Sequence, residues 1–153
     1  MGISFCKRAC YIHHMTHREN ILARVRALNL PKGEFIVVGS GSLAAHEIRG
    51  ADDIDILATP ALFQELTSRG WEVLDWTKSG MEDKKWLVKG DAQVSREMYL
   101  GDQLNLTFND LIDDTEDIEG VTFMALGKLA EFKRARGKDK DLADVARIEK
   151  YLA

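Results

Sequence analysis

The sequence has few cysteines and no apolar run long enough to cross a membrane. Its two cysteines, Cys6 and Cys10, lie near the start of a chain of 153 residues. The rest of the chain has none, so nothing in the sequence argues for an oxidising compartment. A spanning helix needs about 20 apolar residues in succession, and no stretch has them. Sustained apolar character is also missing from the N-terminal segment, so we expect no secretory signal and predict a cytoplasmic protein.

The two cysteines lie close to three histidines, so a zinc site is one interpretation of the N-terminal segment. The spacing of these residues fits no closed structural zinc set. The other interpretation is a disordered N-terminal extension over residues 1–14, with Met15 as a candidate for the translation start. We favour the extension over the zinc site.

Strong net charge is absent as well. The chain has 21 lysines and arginines against 25 aspartates and glutamates, a net charge of −4. This mild acidity predicts no strong non-specific binding to nucleic acid. A hydrophobic fraction of 45% over this length supports one domain with a buried core. Because the sequence has no internal repeat, low-complexity tract or linker, we predict that residues 15–153 form that domain.

The apolar patterns predict an α+β fold, a small mixed β-sheet flanked by helices. Helical spacing begins after the capping residue Thr16. A second helix is predicted between Pro60 and Gly70, with Thr59 as its N-cap. A short helix is predicted over residues 43–48. Helical spacing resumes at Val121, and Gly137 divides that region into a C-terminal helical hairpin. Strands are predicted over residues 35–38, 53–58, 71–76, 85–88, 94–100 and 104–108, and Gly-Asp pairs between the later strands predict hairpin turns.

The first predicted strand ends in a turn rich in glycine and serine. The apolar run over residues 35–38 is typical of a strand buried on both faces, and it leads into Gly39, Ser40, Gly41 and Ser42. Glycines allow the backbone to approach a ligand closely, and the N–H groups at the start of a helix bind anions. The two serine hydroxyls add hydrogen-bond donors. We therefore predict that these four residues form a phosphate cradle.

The next predicted strand carries two carboxylates within its apolar pattern. Asp53 and Asp55 are two residues apart, so their side chains project from one face, while Ile54 and Ile56 project from the other face into the core. Neighbouring carboxylates repel each other and lose hydration, a cost that a divalent cation between them offsets. Because the ligands are hard oxygens, without histidine or thiol, the pair predicts Mg²⁺ or Mn²⁺ bound together with phosphate.

This combination resembles the nucleotidyltransferase fold of the DNA polymerase β superfamily. The signature of that family is a strand ending in Gly-Gly or Gly-Ser, a short helix, and then a strand with Asp-apolar-Asp/Glu-apolar. The chain matches it with VGS at residues 38–40 and DIDI at residues 53–56. The segment 126–148 is similar to the Lys…Arg…Lys-Asp…Asp end of small stand-alone nucleotidyltransferases, including those of the abortive-infection toxin type. The matching residues there are Lys133, Arg136, Lys140, Asp141 and Asp144.

The resemblance implies a metal-dependent transfer reaction. Asp53 and Asp55 would hold two metal ions against the triphosphate of an NTP, and Ser40 would bind its β- or γ-phosphate. An acceptor hydroxyl would attack the α-phosphate, and pyrophosphate would leave.

The basic residues of the C-terminal segment have two interpretations. Lys133, Arg136 and Lys140 are candidates for contact with phosphate or with the acceptor. The alternative is a solvated helix end, where the helix dipole favours cations. We interpret Asp141 and Asp144 as salt-bridging and capping residues of the helical hairpin rather than as catalytic groups.

The chain departs from the family pattern at the third acidic position. The family places a third carboxylate on a later core strand, where it helps to activate the acceptor hydroxyl. Our candidate strand has Asn105 there, and an amide can ligate a metal through its oxygen but cannot act as a base. Asn105 is therefore the third candidate catalytic residue. Asp91, Glu97 or Asp102 would supply the carboxylate if the strand register differs from our prediction.

Three aromatic residues and one histidine lie outside these motifs. We interpret Trp71, Trp76 and Trp86 as core and strand-pairing residues rather than as platforms for a base. His46 follows the glycine turn closely, so either it faces the nucleotide pocket or it packs in the fold.

We predict that the chain transfers a nucleoside monophosphate from an NTP to a hydroxyl on a protein, an RNA or a small molecule, with Mg²⁺ or Mn²⁺. One alternative is a catalytically degenerate relative that binds NTP as a sensor or acts within a toxin–antitoxin pair. Another is a non-enzymatic interaction module whose acidic residues are only solvated. A chain of this size offers a shallow cleft, so we hypothesise that a partner protein or a second copy completes the acceptor site. We expect no membrane partner.

Overall fold

The structure is a computed structural model that describes residues 15–75, 85–100 and 104–153. The N-terminal segment, Trp76 and Asp102 lie outside these residues, and so do the predictions made for them. The described residues form a mixed α+β fold with one large mixed sheet, one small sheet and flanking helices. Within those ranges, no helix has both the length and the apolar character of a membrane span.

Helices and strands follow one another along the chain. The helices are α1 (His17–Arg26), α2 (Ser40–Ala45), α3 (Pro60–Ser68), α4 (Phe108–Leu111), α5 (Leu126–Arg136) and α6 (Asp139–Leu152). The strands are β1 (Phe35–Val38), β2 (Ile54–Ala58), β3 (Glu72–Asp75), β4 (Lys85–Lys89), β5 (Ala92–Ser95), β6 (Glu97–Leu100), β7 (Leu104–Thr107), β8 (Thr115–Ile118) and β9 (Val121–Met124).

The large sheet has seven strands in the order β3-β4-β5-β2-β1-β9-β8. Two neighbouring pairs, β1 with β9 and β2 with β5, run parallel, and the other pairs are antiparallel. Strands β6 and β7 form a separate antiparallel pair. The mixed sheet predicted from the sequence is therefore confirmed, and β1 and β2 lie side by side at its centre.

Each face of the large sheet carries its own apolar core. Ile54 and Ile56 of β2 are fully buried among side chains of α1 and α3, as predicted. Leu57 projects from the opposite face and packs in a second cluster with Leu129 of α5. Burying an aliphatic side chain of this size contributes about 1.5–3 kcal/mol, so β2 is held firmly from both sides. Asp55 shares the face of Leu57, because side chains alternate along a strand.

Local chemistry sets the starts of two helices. The Thr16 hydroxyl accepts a hydrogen bond from the Glu19 backbone N–H at 3.0 Å, and the Thr59 hydroxyl accepts one from Leu62 at 3.2 Å. Both N-cap predictions are confirmed. The hairpin predicted at Gly90-Asp91 is also confirmed, since β4 and β5 pair antiparallel across it.

The region from Val121 differs most from the sequence-based prediction. Its apolar spacing predicted a helix, but Val121–Met124 forms β9, and α5 begins only at Leu126. Glu119 and Gly120 both have positive φ, 49° and 86°, which is the conformation of a two-residue type I′ hairpin turn. The turn joins β8 to β9, and β9 also pairs with β1. Strand pairing therefore overrides the helical spacing in this region.

Two other boundaries also shift. The short helix predicted over residues 43–48 begins at Ser40 and ends at Ala45, so the Gly-Ser segment is its first turn. The strand predicted over residues 94–100 divides at Arg96 into β5 and β6, which belong to different sheets.

Candidate functional site

A cavity of about 530 Å³ lies between α5 and the face of the large sheet that carries Asp55. Apolar and aromatic side chains form much of its wall, including Trp86, Tyr99 and Phe132. Its polar and charged lining residues come from α2, β2, β4, β5, β6 and α5: Ser40, Asp55, Lys85, Gln93, Ser95, Glu97, Lys133 and Arg136. A cavity of this size and mixed lining is typical of sites for small molecules and cofactors.

Gly39 brings the backbone up against the carboxylate of Asp55. Val38 pairs with Asp55 at the end of β1, and the chain then turns at Gly39, whose φ is 64°. A Cβ at residue 39 would lie 3.2 Å from Oδ2 of Asp55, closer than an ordinary contact. A side chain there would crowd the carboxylate, and its positive φ would strain the backbone as well. The glycine bend and the carboxylate therefore face each other within the cavity.

Asp55 carries its charge in a partly desolvated position. Burial raises the pKa of its carboxyl group, and the negative charge of Asp53 raises it further. The positive charges of Arg136 and Lys133 act in the opposite direction and lower it. Asp53 itself is exposed immediately before β2 and is not among the cavity-lining residues. The cavity lining thus has the Asp55 carboxylate beside the glycine bend and, on β6, the carboxylate of Glu97, which was one of the sequence candidates for the third acidic position.

Helices α5 and α6 meet at two buried carboxylates. The side chains of Asp141 and Asp144 are each 2% exposed, and Lys133, at 6%, lies between them. Lys133 Nζ is 2.9 Å from Asp144 Oδ2 and 3.6 Å from Asp141 Oδ1. Arg136 donates two hydrogen bonds to Asp141, at 2.9 and 2.6 Å. These contacts match the salt-bridging interpretation of the two aspartates, and they satisfy charges that would otherwise be costly to bury.

Arg49 connects this buried cluster to the glycine turn. It donates to both carboxylate oxygens of Asp144 at 2.8 Å, and its Nη2 also donates to the Ser40 hydroxyl at 3.2 Å. Arg147 donates to Asp144 from one turn further along α6, at 2.9 Å. Asp144 therefore receives three cationic side chains, and through Arg49 it fixes the orientation of Ser40. No motif in the sequence indicated that Arg49 has this function.

The four residues of the predicted phosphate cradle have different environments. Gly39 and Ser40 line the cavity, whereas Gly41 and Ser42 are buried in the core and are not among its lining residues. A Cβ at Gly41 would lie 2.4 Å from a methyl carbon of Val37, so this glycine lets α2 pack on β1. The Ser42 hydroxyl is buried and has no hydrogen-bond partner among the described residues.

The other sequence candidates also divide into two groups. Lys133 and Arg136 line the cavity, although both are already paired with aspartates. Lys140 is exposed on α6, and Asn105 is exposed on β7 opposite Tyr99, and neither lines the cavity. His46 packs in the fold, with its ring nitrogens 2.7 Å from Glu116 Oε2 and 3.2 Å from the Tyr151 hydroxyl.

The sequence-based prediction missed Gln93. It is the parallel-strand partner of Asp55, and both side chains line the cavity. Its strand, β5, is therefore the neighbour of the aspartate strand, not the strand that contains Asn105. Trp86 was interpreted only as a strand-pairing residue; it pairs with Ser95 as expected, but it also lines the cavity.

The carboxylates near Gly39 fit a magnesium ion that is bound to phosphate when it enters the cavity. They do not fit a magnesium ion whose ligands all come from the protein. Within the described ranges, no group of three or more His, Cys, Asp or Glu side chains is placed to hold a metal ion. Mg²⁺ is commonly bound by one or two carboxylates and completes its shell with phosphate oxygens and water. Asp55, with Asp53 close enough to affect its charge and with the cavity in front of it, provides that kind of partial site.

Comparison with known proteins returned no match to a family model, to a curated protein or to a solved structure. By its structure, the chain is a mixed α+β protein with a charged cavity on one face of its large sheet.

Proposed function

We propose that the cavity binds a nucleoside triphosphate with Mg²⁺ and that the chain is a nucleotidyltransferase. The observation that carries this proposal is the position of the Asp55 carboxylate, which faces the Gly39 bend in a cavity whose other wall carries Lys133 and Arg136. A carboxylate for the cation, a backbone bend and two cationic side chains for phosphate are the groups that a metal–triphosphate complex requires.

The charged groups support a consistent orientation of the substrate. Ser40, Arg136 and Lys133 are lining groups that suit the β- and γ-phosphates. The wall with Trp86 and Tyr99 is aromatic and suits the nucleoside. Asp55 would then lie near the α-phosphate, where bound magnesium would supply positive charge to stabilise the pentacoordinate phosphorus.

The proposed reaction moves a nucleoside monophosphate to a hydroxyl group. The acceptor oxygen forms a bond to the α-phosphorus as the bond from that phosphorus to the bridging oxygen of the β-phosphate breaks. Pyrophosphate leaves with the electron pair of the broken bond, and the hydroxyl proton passes to water. Ser40 and Arg136 would hold the departing pyrophosphate, and Asp55 would hold the cation, whose charge would help to position the α-phosphate.

A second candidate function is nucleotide binding without transfer. It is favoured by Gln93, which occupies the position next to Asp55 on the neighbouring strand with an amide instead of a carboxylate. An amide oxygen can accept a hydrogen bond or ligate a cation, but it cannot take up the acceptor proton. Such a protein would act as a nucleotide sensor or as one component of a toxin–antitoxin pair.

Binding is tested by calorimetric titration of each of the four common NTPs with and without Mg²⁺. We expect Mg²⁺-dependent binding by the wild type and its loss in Asp55→Asn, since this change removes the charge that faces the cation. Asp117→Asn is the matched control, because Asp117 lies on the edge strand β8 and pairs with Lys32 at 2.8 Å. Unchanged Mg-NTP affinity in Asp55→Asn would refute the site.

Transfer is tested with α-³²P-labelled NTPs and a cell extract. Label that becomes attached to a protein, an RNA or a small molecule, and that depends on Asp55, supports the transferase. Tight binding without transfer supports the sensor. If no NTP binds at all, both candidates are wrong and a plain interaction module is favoured.

A further inference from the structure

Gln93 is the cross-strand neighbour of Asp55 within the cavity. Strands β2 and β5 run parallel with Asp55 opposite Gln93, and adjacent strands lie about 4.8 Å apart. Both side chains project from the same face and line the same cavity. On the other side of Asp55, the partner on β1 is Val38, which is apolar and buried. Gln93 is therefore the polar side chain that β5 places next to the carboxylate.

Charge in this part of the cavity limits the number of cations that it can hold. Two-metal sites place the ions about 3.5–4 Å apart, and such closely spaced positive charges require several carboxylates. Among the described residues, two carboxylates line the cavity, Asp55 and Glu97, and Glu97 lies on β6, four residues beyond Gln93, with a hydrogen bond to Tyr99. Lys85, Lys133 and Arg136 bring positive charge to the same lining. Gln93 can offer an amide oxygen but no negative charge.

We propose that the site binds a single divalent cation together with its nucleotide, and that Gln93 is the residue that sets this number. The inference rests on the proposed nucleotide site and specifies its metal content. A cation coordinated by Asp55 and by the phosphates has the charge it needs. A second cation beside Gln93 would meet an amide there instead of a carboxylate, because Glu97 lies on β6 and is hydrogen-bonded to Tyr99, and it would share the cavity with three cationic side chains.

The number of cations can be counted without any measurement of turnover. Mn²⁺ is paramagnetic, so electron paramagnetic resonance distinguishes free from bound ions in a titration. The probe is Mn²⁺ with the α,β-methylene analogue of each common NTP, which cannot be cleaved at the α-phosphate. We expect one bound Mn²⁺ per wild-type chain and two per chain in Gln93→Glu, because the variant places a carboxylate of similar shape beside Asp55.

The matched control is Asn105→Asp. It adds the same charge on β7, outside the cavity lining, so we expect one bound Mn²⁺, as in the wild type. Gln93 is exposed, so Gln93→Glu should fold, and a thermal unfolding curve checks this. Two bound ions in the wild type would overturn the inference, whatever the variants do. So would a second ion in Asn105→Asp, or a single ion in folded Gln93→Glu.

Failure of the underlying function gives a different result. If the wild type binds neither Mn²⁺ nor any of the four analogues, the nucleotide site itself is wrong and the inference falls with it. If the analogues bind with two ions, the nucleotide site stands and only the assignment of Gln93 is wrong.

Discussion

Asp144 is the most heavily paired carboxylate in the described part of the chain, so its removal tests the energetics of the helical hairpin. Its side chain is 2% exposed and contacts Arg49, Lys133 and Arg147 at 2.8 to 2.9 Å. Asp144→Asn keeps the shape of the side chain but removes the charge. The two arginines are 34% and 50% exposed and can be solvated again, whereas Lys133, at 6%, keeps only Asp141, at 3.6 Å.

The expected loss follows from this arrangement. Removing one partner of a buried ion pair costs about 3–5 kcal/mol, chiefly because a charge stays buried without compensation. Since two of the three cations can reach water, we expect the lower end, about 3 kcal/mol. In a protein of this size, 1 kcal/mol shifts Tm by about 2–4 °C, so Tm should fall by about 6–12 °C.

Urea unfolding at pH 7 measures the effect, with Glu149→Gln as the control. Glu149 lies on the same helix and pairs with Arg134 at 2.6 Å, but both side chains are about half exposed. An exposed pair contributes about 0–1 kcal/mol, so the control should change little. If the free energy of unfolding of Asp144→Asn is within about 1 kcal/mol of that of Glu149→Gln, the buried cluster does not stabilise the fold as we argue.

The loss of stability in Asp144→Asn should also depend on pH. Burial alone would raise the pKa of Asp144, but hydrogen bonds from Arg49 and Lys133, together with their charges, outweigh burial and hold its pKa well below the ordinary value. The stabilisation is fully present above the ordinary aspartate pKa of about 3.9 and is lost as the pH falls through the lowered pKa of the folded state. The difference between wild type and Asp144→Asn should therefore be smaller at pH 3 than at pH 7. An equal difference at both pH values would contradict the assignment.

Two further substitutions separate packing from ligand binding in the turn. Ser42→Ala removes a buried hydroxyl that has no hydrogen-bond partner among the described residues. It should therefore raise the free energy of unfolding by about 1 kcal/mol without changing Mg-NTP affinity. A loss of affinity would show that Ser42 contacts the ligand. Gly41→Ala places a Cβ 2.4 Å from Val37 and should destabilise the protein by about 1–3 kcal/mol in the same assay. Gly127→Ala is its control, because a Cβ at Gly127 of α5 meets nothing within 4 Å, and alanine there should stabilise the helix.

The sequence predicted the parts of the fold that depend on local chemistry. Thr16 and Thr59 cap helices because their hydroxyls reach N–H groups three residues away. Ile54 and Ile56 are buried because alternation along a single strand turns both to one face. Likewise, Asp55 lies beside Gly39 because β1 and β2, which are close together in the sequence, pair with each other in the sheet.

The sequence did not predict features that depend on which strands are neighbours. The helical spacing from Val121 gave no sign that this segment pairs with β1, more than 80 residues earlier in the chain. The position of Gln93 beside Asp55, and of Asn105 outside the cavity lining, depends in the same way on the order of strands, which long-range packing sets. The sequence indicated Lys133 as a candidate for phosphate contact. It did not indicate that Lys133 is paired with Asp141 and Asp144, because that pairing depends on how α6 packs against α5.

The pairing of Arg136 with Asp141 has a consequence for the selection of anions. Arg136 already makes two charge-assisted hydrogen bonds to a buried carboxylate, and it reaches the cavity from that position. If the cavity binds phosphate as we propose, an incoming anion would have to compete with this internal carboxylate, and inorganic phosphate would gain little from the exchange. A polyphosphate with several contacts in the cavity would gain more, so the internal carboxylate would favour highly charged ligands.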